Sequence, residues 1–256
     1  YKEIISKKKD IGLKTNTSIN IVAISAKNIN KKRTFIVKKK IFSTNPLDII
    51  KNPKVNIVIE LIGKSDGISK RIVESALKNK KHVITANKAL ISKHGDYLTS
   101  IAEKNNVNLE FEAAVGGGIP ILRTIKDGLS TNKINKVVGI LNGTCNYILS
   151  EMEFLKDSFS NVLKRAQYLG YAEPRNPKFD LNGQDALSKV KILSALAFNK
   201  KISKDKCLMN GIENIELEDI EMANKLDYRI KLLGITEIIN NKLFERVHPC
   251  LVNKNN

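Results

Sequence analysis

Tryptophan is absent from this sequence and Phe and Tyr are few and scattered, so it lacks the row of aromatic platforms on which single-stranded nucleic acids stack. Cysteine is scarce. Cys145, Cys207 and Cys250 are odd in number, far apart and free of Cys-x-x-Cys spacing. That excludes a disulfide framework and a zinc site and leaves buried thiols as the reading. The three histidines, His82, His94 and His248, share no ligand spacing and read as structural or exposed. No apolar run reaches the roughly 18 residues of a spanning helix. The first ten residues are polar and Lys-rich, without the apolar centre of a signal peptide. The expectation is a cytoplasmic chain with no membrane partner. Acidic residues are in deficit, 26 against 44 Lys and Arg, for a formal net charge of +18. Such an excess commonly marks a nucleic-acid partner. Here the lysines are spread along the chain in short groups, as at 7–9 and 38–40, among many Ile and Asn residues. That mixture is a residue bias rather than a binding patch, and no nucleic-acid partner is expected.

What is present is enough apolar matter for a core, 42% of 256 residues, and a clear rhythm in the first half. Short Ile- and Val-rich runs at 19–26, 56–62, 82–85 and 108–112 alternate with helix-period segments, which predicts a parallel sheet covered on both faces. Residues 68–79 place Ile68, Ile72, Ala76 and Leu77 on one helical face, with Ser65 or Asp66 as the cap. A second helix is expected over 96–104, after a break at His94-Gly95. The rhythm changes at Gly116-Gly117-Gly118-Ile119-Pro120. A boundary near Val115 therefore divides the chain into 1–115 and 116–256. The second part reads as α+β: a helix from Pro120, a strand at 136–141, helices at 146–152, 161–169 and 184–198, and a hairpin of 229–235 with 243–247 across Asn240-Asn241.

In an open parallel sheet, ligands bind beyond the carboxyl ends of the strands. Gly63, after one such strand, lets a flat or anionic ligand approach the backbone, and Asn87 and Lys88, after the next, offer donors and a positive charge. A turn glycine and a solvated lysine are the plain alternatives. No strand is followed by a Gly-x-Gly-x-x-Gly turn, so a cofactor reading cannot rest on the usual phosphate loop. Asp185 and Lys189 lie four apart on one face of the predicted helix, as an exposed ion pair or as something more. Ala186, Val190, Leu193 and Ala197 define that helix's buried stripe. Stepping about 100° per residue puts Lys189 about 60° from its centre, while Lys191 points away. A lysine on the margin of a buried face loses hydration, which disfavours its charged form and suits it to acid–base work. The Gly116–Gly118 run is a tight turn, or a loop whose carbonyls ring a hard cation.

Several long motifs then occur in one order: ELIG at 60–63, TANKALI at 85–91, EAAVGGGIPI at 112–121, GILNGTCNYIL at 139–149, GYAEP at 170–174 and DLNGQDALSK at 180–189. Together they resemble homoserine dehydrogenase over roughly residues 19–252. The resemblance implies an α/β fold: a truncated Rossmann-like sheet followed by an α+β substrate and dimerisation domain, in a homodimer. The implied reaction is NAD- or NADP-dependent, reversible reduction of L-aspartate 4-semialdehyde to L-homoserine, in threonine and methionine biosynthesis. It implies Lys189 as the acid that protonates the substrate oxygen and Lys88 as its partner near substrate and nicotinamide. Glu173, Asp180 and Asp185 would hold the substrate, with Glu173 and Asp185 binding its amino group and ordering the lysine. Thr85, Gly170, Gly63, Lys88 and Glu173 would meet the cofactor. A sodium or similar cation would sit on backbone oxygens of Glu112, Val115, Gly117 and Ile119. Lys27, just past the first strand, stands where dinucleotide folds discriminate the ribose, which favours NADPH.

The family normally opens with a strand and a glycine-rich turn, and continues past the His248-Pro249 segment. This sequence therefore reads as cut short at both ends. The alternative reading is accordingly an inactive fragment of that enzyme, unable to hold its cofactor.

Overall fold

The computed structural model describes residues 1–33 and 35–255, and the chain forms two compact units. Unit 1 is Tyr1–Thr85 with Tyr97–Glu110; unit 2 is Ala86–Asp96 with Phe111–Asn256. The units are thus discontinuous in the chain. Among the described residues, no helix is long and apolar enough to cross a membrane.

Unit 1 begins with α1 (Lys2–Ser6) and α2 (Lys8–Thr15), where only a polar stretch was expected at the start. The strand expected over 19–26 shrinks to β1 (Ile24–Ser25), paired in parallel with β2 (Phe42–Ser43). After α3 (Leu47–Lys51) come β3 (Ile57–Glu60), α4 (Ile68–Lys78) and β4 (His82–Thr85). α5 (Lys88–Lys104) leads to β5 (Leu109–Glu110). β3, β4 and β5 form a parallel sheet in that order, as the alternating apolar runs predict. α4 buries Ile72, Val73, Ala76 and Leu77, each large side chain contributing about 1.5–3 kcal/mol by leaving water. Its cap is not Ser65 or Asp66, which bond to each other; Gly67 takes the N-cap position with no side-chain cap. His82 is structural, its Nδ1 accepting from the Asn108 amide.

The break expected at His94-Gly95 is also absent, since α5 runs through it. Gly95 serves packing instead. A Cβ there would lie 2.8 Å from Ile202 Cδ1, so the glycine leaves room for that side chain within unit 2.

In unit 2 the helix expected from Pro120 is short. α6 (Ile121–Arg123) widens into a π-turn at Thr124–Gly128. β6 (Lys136–Gly139), α7 (Gly143–Leu155), α8 (Phe159–Leu169), α9 (Lys178–Leu181) and α10 (Gln184–Ala197) follow. Next come β7 (Leu208–Met209), α11 (Leu217–Lys225), β8 (Tyr228–Ile239) and β9 (Lys242–Asn253). The sheet order is β6-β8-β9-β7. The expected hairpin is there and longer, closed by Asn240 and Asn241 at φ 49° and 62°, the left-handed pair that a two-residue turn requires. Pro249 lies within β9 opposite Leu232, and among the described residues β7, which pairs with Arg246 and Val247, does not reach it on the other side. α7, α8 and α10 pack Cys145, Ile148, Met152, Ala166, Ala186 and Val190 against Leu232 and Val247 of the sheet.

Candidate active site

The side chains that the sequence marked as chemical converge in unit 2 at the start of α10. Asp185 stands in the first turn of that helix, where the aligned peptide dipoles favour an anion. Its side chain is 3% exposed. Oδ1 is ion-paired with Lys88 Nζ, from the first turn of α5. Oδ2 takes Lys189 Nζ at 2.9 Å and Asn142 Nδ2 at 2.9 Å. The pair four residues apart is therefore buried, not an exposed surface bridge. Lys189, 16% exposed, also donates to the Leu141 carbonyl at 2.6 Å. Lys191 faces elsewhere and donates to the carbonyls of Ser203 and Asp205.

Burial alone would push the Asp185 carboxyl upward. The hydrogen bond from Lys88, then the charge and bond of Lys189, then Asn142, outweigh it and hold Asp185 below the ordinary aspartate range. The site thus fixes one carboxylate between two ammonium groups. Lys88 also lies 5.6 Å from the centre of the Phe179 ring.

Local sequence explains why these groups meet. Gly234 on β8 is the enabling residue: a Cβ there would come within 2.6 Å of both Leu141 and Val190, so only glycine lets α10 and the segment after β6 close onto the strand. That closure brings the Leu141 carbonyl to Lys189. Asn87 caps the start of α5, its side-chain oxygen accepting from the Leu90 amide. Asp180, on α9, accepts from Asn142 Nδ2 at 2.8 Å. Burial first, then the charges of Asp180, Asp185 and Glu213, push the Cys145 thiol up to about 12, so it is no nucleophile at neutral pH. Cys207 and Cys250 are half-buried free thiols.

The other expected residues stand on other segments of the chain. Glu173 is on an exposed loop, where its carbonyl accepts from Gln167 Nε2. That loop is tied to α7, because Tyr171 stacks on Tyr147 at 4.3 Å and its carbonyl accepts from Thr144 Oγ1 at 2.7 Å. Gly170 ends α8 at φ 81°, a left-handed cap that favours glycine. In unit 1, Gly63 and Thr85 stand near the carboxyl ends of β3 and β4, and both are organised by buried Glu60. Its Oε2 accepts from Thr85 Oγ1 at 2.6 Å, and its Oε1 accepts from the amides of Ile62 and Gly63. Gly63 has φ 82° and open space where a Cβ would lie, which fits close approach of a ligand to the backbone. Lys27 is exposed beyond β1.

The Glu112 carboxylate caps α6 through the amides of Leu122 and Arg123, and its carbonyl accepts from Val115 and Gly116. A Cβ on Gly116 would lie 2.6 Å from the Ile119 oxygen, so the turn has no room for a side chain there. Among the described residues no group of three His, Cys, Asp or Glu side chains gathers to hold a metal. Asn142, Phe179 and Glu60 were not singled out from the sequence. Asn142 and Glu60 stand inside quoted motifs, and that was the only available signal.

A parallel strand–helix unit joined in one chain to an α+β unit that sets two lysines on a buried aspartate fits the class of dinucleotide-linked oxidoreductases. The NAD-binding domain of homoserine dehydrogenase matches residues 3–112, and the homoserine dehydrogenase domain matches residues 120–256. The chain belongs to the homoserine dehydrogenase family. It is 45% identical to a homoserine dehydrogenase of Neisseria gonorrhoeae over 82% of this chain and 48% of that one. It is 40% identical to that of Bacillus subtilis, over 91% of this chain and 54% of the relative. A crystal structure of a homoserine dehydrogenase from Thiobacillus denitrificans superposes with a TM-score of 0.93 at 39% identity, covering 100% of this chain and 58% of that one. The chain thus spans about half the length of the curated relatives it matches.

Proposed function

We propose that this chain carries the catalytic machinery of a homoserine dehydrogenase, which reduces L-aspartate 4-semialdehyde to L-homoserine and runs in reverse. The observation that carries the reading is the Lys88–Asp185–Lys189 group, two ammonium groups on one buried carboxylate. Lys189 has three N–H donors. Asp185 Oδ2 and the Leu141 carbonyl take two, which leaves the third for a substrate oxygen. In reduction the carbonyl carbon gains a hydride and the carbonyl oxygen takes the proton from Lys189 Nζ. In oxidation Lys189 takes that proton back. Lys88 adds a second positive charge that stabilises the developing alkoxide, and Asp185 keeps both lysines in place. Asp180 and Glu173 are the carboxylates for the substrate ammonium.

The nicotinamide, when bound, supplies or accepts the hydride. Gly63 and Thr85 would hold it in unit 1, with Lys27 favouring the extra phosphate of NADP. Glu112, Val115, Gly117 and Ile119 would offer carbonyl oxygens to a sodium-like cation. A cytoplasmic homodimer completes the reading. The test is homoserine oxidation by the full-length protein, followed as nicotinamide absorbance with NAD and with NADP. Turnover of homoserine is expected, with a preference for NADP that Lys27→Ala weakens. Absence of turnover with either nucleotide would overturn the proposal, and an unchanged preference would remove Lys27 from it.

A further inference from the structure

We infer that Asn142 is a positioning residue for this reaction: its carboxamide joins Asp180 and Asp185 and holds the two side by side. The inference rests on the functional reading above, but its geometry stands alone. Asn142 is 3% exposed and is the N-cap of α7. Its Oδ1 accepts from the Cys145 amide at 2.8 Å. That contact decides which way the amide faces, because a flipped group would set its oxygen against two carboxylates and its NH2 against an N–H. The two hydrogens on Nδ2 therefore have one use each: Asp180 Oδ1 at 2.8 Å and Asp185 Oδ2 at 2.9 Å. The preceding residue, Leu141, holds Lys189 through its carbonyl. The junction between β6 and α7 thus sets the acids with one residue and the lysine with its neighbour.

The charges facing this point are Lys88 from α5, Asp180 from α9, Asp185 and Lys189 from α10, and Glu213, with the Cys145 thiol on α7. Among the described residues no lysine or arginine is ion-paired with Asp180, so the neutral Asn142 amide is its bonded side-chain donor. Asp180 is left with its negative charge available to a substrate ammonium. Without the shared donor the two carboxylates would repel, which disfavours holding both charged at this separation.

A helix cap alone predicts something different, and this separates the two roles. Serine and aspartate also cap helices, but neither supplies an NH2. In the full-length protein, Asn142→Ser and Asn142→Asp should lower kcat/KM for the amino aldehyde by about 10-fold or more, as loss of hydrogen bonds to charged groups does. KM for the nucleotide should stay within about two-fold of wild type. The acid limb of the pH profile should move to higher pH in Asn142→Asp, where a third carboxyl joins the pair. Wild-type kcat/KM and an unmoved acid limb in both variants would overturn the inference and leave Asn142 as a cap. If the wild-type protein itself turns over no homoserine, the functional reading fails instead. Carboxyl 13C titration then decides for Asn142: Asp185 must titrate at higher pH in Asn142→Asp than in wild type, and an unchanged titration would overturn the positioning role.

Discussion

Replacing Asp185 with asparagine changes almost no volume and removes the one negative charge between Lys88 and Lys189. Whichever way the new amide turns, its NH2 faces a donor, either Lys88 on one side or Lys189 and Asn142 on the other. Breaking a buried ion pair from one side costs about 3–5 kcal/mol. Lys88, with a side chain 32% exposed, rehydrates and recovers part of that, which places the expected loss at the lower end, about 3 kcal/mol. The corresponding fall in melting temperature is about 6–12 °C. The sign with pH follows from the folded carboxyl being held below its ordinary value of 3.8. Its stabilisation is fully present above that value and lost as pH falls through the folded pKa. The gap between wild type and Asp185→Asn should therefore be full at pH 7 and close under acid conditions below pH 3.8. Thermal melts by circular dichroism at both pH values make the measurement. Asp127→Asn is the control, since its pair with Arg123 is 61% and 79% exposed and should matter by less than about 0.5 kcal/mol. Equal melting temperatures for wild type and Asp185→Asn at pH 7 would refute the reasoning.

On the proposed mechanism, Lys189→Ala in the full-length protein should lower kcat by about 100-fold or more with little change in nucleotide affinity, as loss of a general acid does. Lys191→Ala, two residues on, removes only bonds to the carbonyls of Ser203 and Asp205 and should leave kcat at the wild-type level; equal effects of the two would make Lys189 an ordinary lysine. Gly211→Ala should destabilise unit 2 by more than about 2 kcal/mol, because its Cβ would meet the Leu181 carbonyl on the helix bearing Asp180; a denaturant melt with an unchanged midpoint would contradict this. Cys145 should resist iodoacetamide in the folded protein at neutral pH and react on unfolding, read by peptide mass spectrometry.

Much of this arrangement is local, and local arrangements are written in the sequence. Apolar period set α4, α8 and α10 close to their true limits, and Asn240-Asn241 marked the hairpin, because side-chain direction along one element follows from its own geometry. The same stepping put Asp185 and Lys189 on one face and Lys191 on another. Motif order carried the family and both lysines. Tertiary structure decided the rest. Gly95 looked like a break, yet it is a packing space for Ile202, a side chain far along the chain. The strand over 19–26 had the apolar content of a buried strand, but among the described residues the strand there covers Ile24 and Ser25. Asn142, read as one letter of a motif, became the donor shared by two acids only when α7, α9 and α10 were packed together. Lys88 met Asp185 for the same reason. Periodicity describes which way a residue points on its own element, whereas a shared hydrogen bond or ion pair depends on where a second element brings its partner, and that position follows from the packing of the whole unit.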